Sequence, residues 1–179
     1  MQPDPIFVIA CALTIAVILA SAATHKLRAP SKFADQVEDY QLLPKALVKP
    51  LSRLIPVFEL AIALGLLIPA SRAIAAPAAA ALLLGYAAAI AINLWRGRSD
   101  IDCGCSGPDQ SQPLRPVLLA RNGTLAALAV VASLTGHTRD MGAFDAFVVI
   151  AAAAVALLIY SAAEGLLANG PRLAKLIGR

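Results

Sequence analysis

Apolar residues in this chain come in long blocks separated by short polar stretches. Five blocks stand out: Ile6 to about Ala23, about Leu51 to Pro69, Ala73 to Trp95, about Pro116 to Leu134, and about Ala143 to Ala163. Each approaches the roughly 20 residues that a helix rising about 1.5 Å per residue needs to cross hydrocarbon. The blocks are too long for strands and lack period-two alternation. In lipid an open sheet would also leave backbone groups without partners. The pattern therefore predicts an all-α, polytopic transmembrane helix bundle of about five spans, a single membrane domain over residues 1–179. No second domain and no repeat is visible.

The stretch between the first two blocks differs in kind. It reads THKLRAPSKFADQVEDYQLLPKALVK. Pro30-Ser31 offers a helix start and Pro44 a stop. Phe33, Val37 and Tyr40 recur at helical spacing, which predicts a short amphipathic helix on the membrane surface, a solvated loop being the alternative. Only Ala70, Ser71 and Arg72 separate the second and third blocks, which implies a tight hairpin. Residues 96–115 form a polar loop rich in Gly, Pro and Ser. The first block reads as a retained span and not as a cleaved leader, because Met1 to Pro5 carries no Lys or Arg and the apolar run is long.

Composition agrees. Of 179 residues, 59% are hydrophobic and 15% charged, and mean hydropathy is +0.75. That is too little polar surface for a water-soluble domain of this size, so the partner of the excess apolar surface is the lipid bilayer. Ala and Gly let helix backbones approach closely within it. The net charge of +4 does not indicate nucleic acid; the basic residues flank the apolar blocks. With five spans, one side carries Lys26, Arg28, Lys32, Lys45, Lys49, Arg53, Arg96, Arg98, Arg115, Arg172, Lys175 and Arg179, the other Arg72 and Arg139, twelve against two. The positive-inside rule then places the N-terminus outside, and the C-terminus and the 96–115 loop in the cytoplasm.

The sharpest chemical signal lies in that loop, at Asp102-Cys103-Gly104-Cys105-Ser106-Gly107. Two thiols one residue apart can close a small ring, with Gly104 supplying backbone freedom. A ring so tight is strained and easily reduced, which suits an exchanging redox pair. Incidental thiols, a metal site and a structural bridge remain alternatives, although Cys-x-Cys supplies only two ligands with no neighbouring His. Asp100 and Asp102 would raise the thiol pKa values, and Arg96 and Arg98 would lower them. Cys11 reads as apolar filler. Glu59 and Arg121 fall inside spans, where lone charges are costly. Glu59 is expected to meet Arg121, or else Lys26 or Arg28, as a structural ion pair or as a polar pocket beneath the cysteines. Asn122 is a candidate for a hydrogen bond between helices.

Three pieces carry a resemblance: Ala23 to Pro30 with Phe33 and Tyr40-Gln41-Leu42-Leu43-Pro44; Pro56-Val57-Phe58-Glu59-Leu60; and Cys103-Gly104-Cys105-Ser106-Gly107 followed by Arg121-Asn122. In order and spacing they resemble the methylamine utilisation MauE family, related in pattern to DoxX-like membrane proteins. The resemblance implies a bacterial inner-membrane accessory protein for maturation of a periplasmic enzyme, methylamine dehydrogenase. It would act on a periplasmic enzyme subunit by thiol–disulfide exchange or electron supply with a thioredoxin-like protein. Cys103 and Cys105 would be the exchanging pair. A periplasmic role calls for thiols facing outward, whereas the charge count turns their loop inward. The alternative is a non-redox scaffold that recruits a partner. Whether the chain is itself an enzyme is undecided; if so, it is a thiol–disulfide oxidoreductase component. No cofactor motif is evident and no residue pattern calls for a metal; a quinone stays open as a cofactor, without support from any residue pattern.

Overall fold

The computed structural model describes residues 3–104, 112–136 and 139–176, with side chains to residue 169. Among the described residues the elements are all helices: α1 Pro5–Arg28, α2 Pro30–Asp39, α3 Lys45–Leu67, α4 Pro69–Trp95, α5 Val117–Ala132 and α6 Ala143–Leu176. Four of them, α1, α3, α4 and α6, are long and apolar enough to cross a membrane. The fifth expected span, α5, is a 16-residue helix, about 24 Å long against a hydrocarbon core of about 30 Å. The chain is a multi-pass membrane helix bundle, as the hydropathy pattern predicts.

Local chemistry sets the boundaries. Asp4 caps α1 by accepting the Ile6 N–H at 2.9 Å, with Pro5 at the first helical position. Ala29 precedes a proline and leaves the helical region. Pro30 then opens α2, whose one buried residue is Phe33. The expected surface helix is thus present and packs against α3. Helix α3 begins six residues before the predicted span. It runs through Pro50 and Pro56, each lacking one N–H but tolerated where neighbouring helices support the backbone.

The α3–α4 hairpin is tighter than the predicted Ala70–Arg72 link. Only Ile68, extended at φ −97° and ψ 119°, separates the helices, and Pro69 starts α4. Ser71 Oγ donates to the Gly65 carbonyl at 2.8 Å, which satisfies a carbonyl at the end of α3. A Cβ on Gly65 would stand 2.9 Å from Ala75 Cβ, so that glycine permits the helices to close.

Helix α1 is the hub, packed against α3, α5 and α6, while α4 packs against α3 and α5. The core joins Ile15 and Leu19 to Ala12, Ala16, Ala76, Ala79, Ala80, Ala126 and Ala129. Small side chains at these contacts bring backbones close, the main source of cohesion between helices that lipid would solvate equally well. Cys11 is a free thiol within this core. Large apolar residues, among them Leu64, Ile74, Leu84, Phe147, Ile150 and Leu158, point outward, a surface suited to acyl chains. Trp95, at the end of α4, is 92% exposed and suits the membrane interface.

Candidate functional site

At one end of the bundle α1 finishes, α2 lies across, α3 begins, and the α4–α5 connection folds back. A buried ion pair, a part-buried one and Cys103 meet here. The α1–α3 packing brings Lys26, on the last turn of α1, to Glu59. Glu59 is completely buried. Its Oε1 accepts from Lys26 Nζ and from Tyr86 Oη of α4, the latter at 2.7 Å. Lys26 also donates to Tyr86 Oη at 3.4 Å. Its ammonium stands 5.1 Å from the centre of the Phe33 ring and 4.9 Å from that of Tyr86, both favourable cation–π distances. Glu59 Oε2 has no hydrogen-bond partner among the described residues.

Of the three partners expected for Glu59, Lys26 is the one that meets it. Arg121 does not meet it: α5 carries that guanidinium to Glu164 on α6, with Nη1 to Oε1 at 2.7 Å. Arg28 lies exposed at the end of α1, because on this turn Lys26 takes the inward face. Asn122 is buried, but its amide donates to the Leu118 carbonyl one turn earlier on its own helix at 3.1 Å, and not across helices.

Cys103 is buried in a bonded frame. Its N–H donates to the Gln112 carbonyl at 2.9 Å, and Asp102 and Pro113 form a single antiparallel bridge. The Asp102 carboxylate organises the turn: Oδ1 accepts from Gly104 N at 3.3 Å and Gln112 N at 3.1 Å, and Oδ2 from Gln36 Nε2 of α2 at 3.0 Å. Gly104 sits at φ +73°, where a side chain would be strained. Tyr40 of α2 donates to the Cys103 carbonyl at 3.2 Å. Arg121 brings a cation to the sulfur, with Nη2 3.7 Å from Cys103 Sγ. Arg98 and Arg96, expected to act on the thiols, instead donate to carbonyls at the end of α2: Arg98 Nη2 to Asp39 O at 2.9 Å, and Arg96 Nη1 to Gln41 O at 3.3 Å. Cys105, the other member of the expected pair, lies outside the described residues.

A cavity of about 220 Å³ opens beside this frame, between α2 and the start of α3 and the end of α4. Lys26, Phe33, Tyr40, Tyr86, Ile90 and Cys103 are on its walls. The arrangement can thus set a cation against a sulfur and offer an apolar chamber with a buried ammonium at its edge.

The structure therefore brings Lys26 to Glu59 and Arg121 to Cys103. Sequence reasoning missed Tyr86, Gln36, Glu164 and the organising role of Asp102. Glu164 stands directly after the last predicted span, and its own charge is what closed the hydropathy window there. Tyr86 and Gln36 carry no signal in a single sequence, because their partners are distant along the chain.

Comparison with known proteins adds a family. The model of a family described as methylamine utilisation protein MauE matches residues 4–135. A methylamine utilization protein MauE of Methylophilus methylotrophus is 38% identical over 173 residues, covering 92% of this chain and 87% of that protein. The protein of the same name from Paracoccus denitrificans is 38% identical over 163 residues, 90% and 87% of the two chains. That of Methylorubrum extorquens is 39% identical over 147 residues, 81% and 79%. No solved structure matches.

Proposed function

The chain belongs to the methylamine utilisation protein MauE family, and from that premise we propose that it is an inner-membrane accessory protein of methylamine utilisation. It matures a periplasmic enzyme of the methylamine dehydrogenase type by passing a disulfide from Cys103 and Cys105 to a thioredoxin-like partner. The observation that supports this most directly is the Arg121 guanidinium 3.7 Å from Cys103 Sγ. A cation there favours negative charge on the sulfur, and a thiol whose anion is stabilised is the better leaving group in exchange.

The exchange balances. A partner thiolate attacks one sulfur of a Cys103–Cys105 disulfide and forms a mixed disulfide. The second partner thiolate then attacks that bond. The partner leaves oxidised, and two thiols remain on this chain. Glu164 positions Arg121, and the Asp102–Gln36 contact holds the cysteine turn against α2.

The decisive test replaces Cys103 and Cys105 with Ser and follows maturation of the partner enzyme. Loss of maturation supports exchange. Normal maturation would refute it and leave a non-redox scaffold. The exchange needs the cysteine end on the periplasmic side, whereas the charge count turns that end toward the cytoplasm. Labelling intact cells with a membrane-impermeant thiol reagent tests that orientation; labelling of Cys103 without permeabilisation would reverse it and put the pair in direct reach of a periplasmic partner.

A further inference from the structure

Each round of the exchange proposed above leaves two electrons on the cysteine pair, and an acceptor must remove them. Resting on that reading, we propose that the cavity beside Cys103 binds the ring of a lipid-soluble quinone, which reoxidises the pair. Four observations converge. The cavity has Cys103 in its wall, so its occupant lies beside the sulfur. Its volume of about 220 Å³ suits one small ring system. Phe33, Tyr40 and Tyr86 provide aromatic surface for a flat ring.

The fourth observation is Lys26, which has 7% of its side chain exposed and lines the cavity. An ammonium has three donors. One goes to Glu59 Oε1 and one to Tyr86 Oη. The third is available to a carbonyl oxygen, the acceptor a quinone presents. Negative charge builds on that oxygen as the ring is reduced, and a buried cation stabilises it strongly. Glu59 fixes the ammonium at the cavity edge by accepting from Lys26 Nζ through Oε1.

The reaction closes without another reagent. Two thiols, Cys103 and Cys105, lose two electrons and two protons and form one S–S bond. The quinone takes both electrons and both protons, and leaves as quinol into the bilayer.

The test uses the purified full-length protein in phospholipid nanodiscs, with decylubiquinone and menadione as probes. Equilibrium binding is read on wild type, on two variants that fill the cavity, Ala89→Trp and Ile55→Trp, and on Cys103→Ser. Helix content by circular dichroism confirms that each variant is folded. The expected result is saturable binding to wild type, at least about tenfold weaker in either filled variant and retained in Cys103→Ser. Quinol is then formed once per protein dithiol by wild type and not by Cys103→Ser. Absence of saturable binding to wild type, equal binding to a folded filled variant, or displacement of the quinone by added phospholipid would each overturn the proposal. Saturable, cavity-dependent binding without quinol formation would keep the quinone site and sink the thiol-exchange reading instead, so the two failures are separable.

Discussion

Arg121 reaches Cys103 across the α4–α5 connection, its Nη2 3.7 Å from the sulfur, while Nη1 of the same guanidinium is tied to Glu164 at 2.7 Å. One planar group thus links a helix that follows the cysteine turn to the last helix of the chain. A fork of fixed geometry can make both contacts at once; a lysine ammonium cannot reproduce that planar two-point geometry.

Glu164→Gln should therefore act at a distance on the thiol. With the ion pair gone, Arg121 is held less firmly beside the sulfur, and the pH dependence of Cys103 alkylation should move upward. Arg121→Lys should move it in the same direction. An unchanged alkylation profile in both variants would show that the guanidinium does not govern the sulfur.

The Lys26–Glu59 pair should matter for stability more than its single contact implies. Removing one partner of a buried pair leaves an uncompensated charge, at a cost of about 3–5 kcal/mol. Lys26→Met should lower the thermal midpoint in detergent strongly, and Lys26→Met with Glu59→Leu should recover most of the loss. Equal destabilisation by the single and double variants would contradict this account.

The cysteine turn should open when its carboxylate is removed. Asp102→Ala takes the acceptor from Gly104 N, Gln112 N and Gln36 Nε2 together. Cys103, 6% exposed, should then be labelled several-fold faster by maleimide. Gly104→Ala should have a related but smaller effect: its φ of +73° costs a residue with a Cβ about 1–2 kcal/mol, and the added Cβ would stand 3.0 Å from Gln36 Oε1. Unaltered labelling in Asp102→Ala would mean that the backbone holds the turn unaided.

The opposite end of the bundle carries a pH-sensitive tie. Arg139 donates to Asp4 at 3.2 Å and to Asp145 at 2.8 Å. The Ile6 N–H and then Arg139 hold the Asp4 carboxyl below its ordinary value of 3.8. A depressed folded-state pKa contributes stability that is present above the unfolded value and lost as pH falls through the folded one. Wild type should thus exceed Asp4→Asn in thermal midpoint at neutral pH, with the gap closing below pH 3.8. A gap that persisted in acid would point to another cause.

The bundle was legible in the sequence because each span satisfies its own backbone and shows lipid an apolar face, requirements met within about 20 consecutive residues. Where boundaries were misread, a local rule was overridden. The second span was expected from about Leu51, yet α3 begins at Lys45 and continues through Pro50, since packing against α1 and α2 supports the helix there.

The site was legible only in its ingredients. That Glu59 and Arg121 need partners follows from the cost of charge in hydrocarbon, and the spacing of Cys103 to Cys105 marks their loop as a candidate for thiol chemistry. Which charge meets which depends on the rotation of each helix about its axis and on the order of helices around α1, and neither leaves a trace in hydropathy. Tertiary packing alone decided that Lys26 turns inward to Glu59, that Glu164 claims Arg121, and that α2 folds down to place Gln36 and Tyr40 on the cysteine turn. Composition determines that the helices cross a membrane, because burial of apolar surface is additive along the chain; the pairing of their few polar groups is decided by contacts among residues far apart in it.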